Sequence, residues 1–163
     1  MNAIVKTQKY PEMTLIGVSR DFISVLGENS DAHTILPALW GELFDHLDEL
    51  DEFEFTWSVG VLEPPKGKNP KPGQLSYFAG LLVEEVPEDL GPLRVLDVPA
   101  GNFAVCEHIG DVETLADTTA WFYNEYLESS GFEEREAPHY EIYDDRFDPE
   151  SPDSVIVIAA PIE

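Results

Sequence analysis

The chain has 163 residues, a length typical of one domain that can bury a full core. Its net charge of -24 and pI near 4.1 argue against binding to nucleic-acid phosphates or anionic membranes, and they favour a cationic ligand or a basic partner. An acidic surface that only maintains solubility, as in high salt, explains the same charge more simply. A single cysteine and the absence of any secretion or membrane segment favour a cytoplasmic location.

The first half of the sequence predicts a strand, a helix and two further strands. Residues 10–26 predict one long or bulged strand. A stripe of apolar residues then predicts an amphipathic helix that begins near Thr34, because Pro37 is tolerated only near a first turn. The alternating residues 53–61 and the apolar residues 75–84 predict the two strands.

The second half repeats this order. A helix is predicted between Asp111, a plausible N-cap, and Gly131, a helix stop. Strands are predicted for residues 93–98, 102–109, 139–146 and 154–162.

This repetition predicts the α+β class and a single domain over residues 1–163. A β-α-β-β unit is duplicated in halves of about 10–84 and 93–163. Two such units predict an antiparallel sheet with both helices on one face and a ligand cleft between the halves on the other.

Residues 139–144 contain the most suggestive functional pattern. Side chains alternate along a strand, so His139, Glu141 and Tyr143 are predicted to share one face. A carboxylate among aromatic rings suits the binding of a cation. Because acidic residues are abundant, this pattern alone favours a solvated surface carboxylate at Glu141.

The sequence predicts neither a metal site nor a cofactor. Its four histidines are dispersed, and it contains no CxxC or HExxH spacing. Glycine-rich phosphate loops and the GxSxG nucleophile motif are also absent.

Five short segments carry a family resemblance: YFAGL at 77–81, VPAGNFAV at 98–105, HIG at 108–110, SGF at 130–132 and EIY at 141–143. In order and spacing they resemble the GyrI-like small-molecule-binding domain, also called the AraC-type effector-binding domain, of the SOUL-like superfamily. The resemblance implies a duplicated β-α-β-β fold and a buried glutamate in the penultimate strand that anchors the ligand. Glu141 occupies the matching position.

The resemblance also implies a range of functions. Members fused to DNA-binding domains sense drugs, often bulky lipophilic cations, whereas stand-alone members sequester drugs or inhibit gyrase. The main hypothesis is therefore a stand-alone protein that binds a hydrophobic, cationic or aromatic small molecule. Glu141 would be its charge partner, and the candidate wall residues are Tyr143, Tyr77, Trp57 and Trp40. For the two tryptophans, ordinary core packing is the alternative.

Two other hypotheses remain open. One branch of the family hydrolyses strained cyclopropane rings, and here Glu141 would activate water while Tyr143 or Tyr77 donates a proton. Alternatively, the acidic surface could inhibit a DNA-handling enzyme such as gyrase as a protein partner. None of the three hypotheses involves direct nucleic-acid or membrane binding.

Overall fold

The computed structural model describes residues 3–24, 30–48, 54–64, 73–148 and 150–163. Within these ranges, one antiparallel sheet carries the helices on one face, which confirms the predicted α+β class. The strands are β1 (Ala3–Tyr10), β2 (Met13–Ile23), β3 (Ser58–Glu63), β4 (Gln74–Leu82), β5 (Arg94–Val98), β6 (Gly101–Ile109), β7 (His139–Tyr143) and β8 (Val155–Ile162).

The strand order is symmetric about the centre of the sheet. It is β1-β6-β8-β7-β3-β4-β2-β5. β3 and β7 pair at the centre, while β1 pairs with β6 and β5 pairs with β2, so the first strand of each half joins the other half. Exchanging β1–β4 with β5–β8 gives the same order read in reverse. Two similar β-α-β-β units, each preceded by an additional strand, would have this arrangement.

Two short links bring the edges of the sheet together. β1 is at one edge and β2 is seventh in the order, yet only Pro11 and Glu12 separate them. Pro99 and Ala100 join β5 to β6 in the same way. In a flat sheet β1 and β2 would be about 29 Å apart, whereas three residues span at most about 11 Å. The sheet must therefore curl.

The face without helices is closed by its own side chains. Its apolar cluster combines Tyr10, Met13 and Val98, next to the links, with Tyr140 and Ile142 from the central strand β7. The duplicated β-α-β-β units predicted the ligand cleft on this face. The structure instead places Glu141 on the helix-bearing face, because alternation along β7 directs the even-numbered residues into the closed core.

The first helix, α1 (Ala32–Asp48), begins before Thr34, and Pro37 lies inside it. The Asp31 carbonyl oxygen accepts hydrogen bonds from the amides of Thr34 and Ile35, so the helix is established ahead of the proline. The apolar residues of α1 differ in exposure. Leu39 and Leu43 are fully buried against the sheet, whereas Phe44 is exposed. No helix in the described ranges is long and apolar enough to cross a bilayer.

The second helix covers residues 115–130 and changes its winding partway. A short 3-10 turn (Val112–Thr114) leads into α2 (Leu115–Trp121), a π-helical turn (Phe122–Tyr126) and α3 (Leu127–Ser130). Asp111 precedes the 3-10 turn without a capping side-chain hydrogen bond. Gly131 ends the helix in the left-handed conformation, with φ of 83°, as predicted. π-Helical turns of this kind are frequent at functional sites.

The strand predictions differ from the structure mainly in the first half. β1 was not predicted, because most of its side chains are exposed at the sheet edge and give no apolar pattern. β2 begins at Met13, after Pro11 interrupts the predicted strand. β3 begins at Ser58, and the predicted strand residues Leu26 and Phe53 lie outside the described ranges.

Candidate functional site

Glu141 lies at the centre of the sheet, where the two halves meet. It is opposite Gly60 of β3 and Ile158 of β8, and cross-strand partners point to the same face. Ile158 belongs to the apolar cluster under the second helix. Gly60 is in turn opposite Ala79, which belongs to the cluster under α1. The carboxylate is therefore on the helix-bearing face, between the areas that the two helices cover.

Tyr77 reaches Glu141 from β4 by crossing β3. Its hydroxyl donates a hydrogen bond to Glu141 Oε1 at 2.9 Å. The phenol passes over Gly60, where a Cβ atom would lie 1.9 Å from the Tyr77 hydroxyl oxygen. Only a residue without a side chain leaves room for this contact. Sequence reasoning missed Gly60, although an isolated glycine in a strand pattern is a recognised mark of close approach.

Trp40 and Tyr143 complete this side of the site. Trp40, on α1, donates its indole Nε1–H to the Tyr77 hydroxyl at 3.2 Å. Its ring meets the Tyr143 ring edge to face, with centroids 5.7 Å apart. The Tyr143 hydroxyl also hydrogen-bonds to Glu141. Four of the five predicted site residues are thus brought together.

The electrostatics of this group depend on burial. Burial raises the pKa of Glu141, and hydrogen bonds from Tyr77 and Tyr143 oppose that rise. Burial and the nearby Glu141 carboxylate raise the pKa of both tyrosines well above 10.0, so the phenols stay protonated. The hydrogen-bond partners of Glu141 in the described ranges are all neutral, and its side chain is only partly buried. Among the described residues its negative charge therefore has no cationic partner, which leaves that role to a ligand.

The fifth predicted residue, Trp57, is not in this group. It precedes β3 and packs against the apolar cluster on the opposite face, which contains Val59 and Val61. Alternation along the strand puts Trp57 on the face of Val59 and Val61, whereas Gly60, opposite Glu141, belongs to the other face. The surroundings of Trp57 agree with the alternative prediction that it packs in the core.

A second pair of polar side chains borders Glu141 on the side of the second helix. Tyr123, in the π-helical turn, has its hydroxyl 3.0 Å from His139 Nδ1, and the two rings are 5.5 Å apart. Burial, and next the Glu141 carboxylate, raises the pKa of Tyr123. Burial also lowers the pKa of His139, against the effect of Glu134. Sequence reasoning placed His139 on the face of Glu141 but found no sign of Tyr123, which depends on the π-helical winding.

Comparisons with known proteins agree with this fold. A stretch of 94 residues, 55% of the chain, is 35% identical to the transcriptional regulator BrlR of Pseudomonas aeruginosa, and it spans only 34% of that regulator. Among solved structures, SAV2435 bound to tetraphenylphosphonium superposes with a TM-score of 0.72 at 17% identity, covering 98% of this chain and 94% of that one. The EcmrR C-terminal domain superposes with a TM-score of 0.63 at 15% identity, covering 100% and 99%.

The family itself follows from the sequence. The family described as the GyrI-like small molecule binding domain matches residues 5–162, nearly the whole chain. With the eight-stranded sheet and its two helices in agreement, the chain belongs to the GyrI-like small-molecule-binding domain family.

Proposed function

We propose that this domain binds hydrophobic organic molecules, cationic or aromatic, on its helix-bearing face, with Glu141 as the anchor for positive charge. One observation carries the proposal. Glu141 is a partly buried residue at the junction of the two halves, and among the described residues its carboxylate receives hydrogen bonds from neutral phenols only. A cation placed there would satisfy a charge that burial makes costly.

The surrounding rings support the same ligand class. Trp40, Tyr77 and Tyr143 present aromatic surface beside the carboxylate, and a cation over an aromatic ring gains about 0.5–2 kcal/mol. The tetraphenylphosphonium bound by the structural relative SAV2435 is such a lipophilic cation. The proposal includes one domain over residues 1–163 with similar halves at about 10–84 and 93–163, which the symmetric strand order supports.

Calorimetric titration with tetraphenylphosphonium tests the proposal. Wild type should bind it, and Glu141→Gln, which keeps the shape but removes the charge, should bind at least about tenfold more weakly. Glu125→Gln, an exposed acid on the second helix, is the matched control and should retain wild-type affinity. Equal loss in both variants would indicate a general effect of net charge and contradict the role of Glu141.

A second candidate function uses the same atoms. A carboxylate whose pKa burial raises, next to two protonated phenols, has the groups needed to activate water and to protonate a leaving atom. Strained-ring electrophiles of the cyclopropane type would be its substrates. Product analysis after incubation separates the two functions, because turnover requires product with wild type and none with Glu141→Gln. Binding alone leaves the compound intact.

A further inference from the structure

Tyr123 hydrogen-bonds to one of the two imidazole nitrogens of His139 and leaves the other available. Tyr123 occupies His139 Nδ1, whereas Nε2 has no hydrogen-bond partner among the described residues. His139 is only partly buried, so Nε2 is not sealed inside the core. The two ring nitrogens point to different sides of an imidazole, so Nε2 is directed away from the Tyr123 hydroxyl.

The protonation of this pair follows from the chemistry of its two groups. A neutral imidazole has one N–H donor and one acceptor nitrogen. Among the described residues, the Tyr123 hydroxyl has no acceptor other than His139 Nδ1. We take Tyr123 as the donor to Nδ1, which puts the His139 proton on Nε2. Protonation of the ring is opposed by its burial and favoured by the charge of Glu134.

This Nε2–H group has a defined position relative to the proposed cation anchor. His139 and Glu141 are separated by one residue on the same face of β7, which places their Cβ atoms about 7 Å apart along the strand. Tyr77, Tyr143 and Trp40 border Glu141 on the α1 side, whereas Tyr123 and His139 border it on the other. A ligand on Glu141 that extends towards the second helix would meet the His139 donor.

We propose that His139, oriented by Tyr123, is a specificity-determining residue that donates a hydrogen bond from Nε2 to the bound ligand. The site then selects organic cations that carry an acceptor, such as an ether, carbonyl or hydroxyl oxygen, about 7 Å from the positive charge. This inference rests on the proposed function, because Glu141 is taken as the anchor of the charge.

Matched ligand pairs test the donor directly. Para- and meta-methoxybenzyltriphenylphosphonium are compared with the corresponding ethylbenzyl compounds, which have the same shape and charge but no ether oxygen. In wild type, at least one methoxy compound should bind about three- to tenfold more tightly than its ethyl counterpart, the contribution of one neutral hydrogen bond. His139→Phe should abolish that preference while retaining affinity for the ethyl compounds. Tyr123→Phe should reduce it.

The control is His46→Gln, on α1 beside Glu42, which should leave the preference unchanged. Nitrogen-15 NMR of the ligand-free protein provides an independent readout: His139 should be the Nε2–H tautomer in wild type and a mixture in Tyr123→Phe. An Nδ1–H tautomer in wild type would overturn the inference. Binding of the ethyl compounds with no methoxy preference would overturn it and leave the proposed function standing. If no phosphonium bound to wild type, both would fail.

Discussion

Tyr77 and Tyr140 are fully buried tyrosines on opposite faces of the same sheet, and their hydroxyl groups differ in environment. Tyr77 donates to Glu141 and accepts from Trp40. Tyr140, on the closed face, contacts the ring of Phe103, and its hydroxyl has no hydrogen-bond partner among the described residues. Burial therefore has different consequences on the two faces: on one it builds a polar network around a charge, and on the other it fills a core.

Of the substitutions that test this difference between the faces, Gly60→Ala should destabilise the protein most. The new methyl group would lie 1.9 Å from the Tyr77 hydroxyl oxygen and 2.4 Å from Cζ. Overpacking of this kind costs about 1–3 kcal/mol of unfolding free energy, and the upper end applies because the ring must leave its position. Urea denaturation measures the loss. In combination with Tyr77→Leu the cost should be less than the sum of the two single effects; additive effects would contradict the clash.

Tyr77→Phe should have the next largest effect. It removes a hydroxyl that accepts a hydrogen bond from Trp40 Nε1 and donates one to Glu141 Oε1, both in partly buried residues, and two such bonds together contribute about 1–3 kcal/mol. Chemical denaturation should show this destabilisation, together with weaker binding of tetraphenylphosphonium. A variant as stable as wild type would show that the network around Glu141 contributes nothing to folding.

Glu141→Gln should stabilise the ligand-free protein at neutral and higher pH. The pKa of Glu141 is raised in the folded state, so the folded protein holds this proton more tightly than the unfolded chain does. Wild-type stability therefore falls as pH rises from the ordinary glutamate pKa through the raised one, and glutamine removes that loss. Tm measured from pH 4 to pH 8 should show the variant gaining on wild type as pH rises. A constant difference would contradict the raised pKa.

Tyr140→Phe should have the smallest effect and the opposite sign to Tyr77→Phe. Removing a buried hydroxyl that lacks a partner should leave the unfolding free energy unchanged or raise it by up to about 1 kcal/mol. The two substitutions remove the same hydroxyl group. The difference between their effects on the unfolding free energy, measured under identical conditions, is therefore the contribution of the hydrogen bonds of Tyr77. Equal destabilisation by both substitutions would remove the distinction between the faces.

The sequence was sufficient for much of the fold and for the centre of the site. Period-two alternation placed His139, Glu141 and Tyr143 on one face, as their contacts with Tyr123, Tyr77 and Trp40 show. Apolar patterns located the helices because each covers one half of the sheet.

What the sequence could not supply depends on pairing between distant strands. The role of Gly60 requires the register that sets it opposite Glu141, and the face of the site requires knowing that the other face closes on itself. Tyr123 reaches His139 from a π-helical turn that the apolar periodicity did not indicate. β1 has no apolar periodicity, because most of its side chains are exposed at the edge of the sheet and do not pack into a core.

The exchange of first strands between the halves has a consequence for synthesis on the ribosome. β1 pairs with β6, with Ala3 opposite His108, so the earliest strand to emerge has no partner until some hundred residues have followed it. Contacts this distant in sequence slow folding, and unpaired strand edges promote aggregation in the meantime. β1 contains charged and polar residues, among them Lys6, Gln8 and Lys9, which keep an unpaired strand soluble until its partner has been synthesised. Since β5 likewise pairs with β2, each half depends on the other for the partner of its first strand.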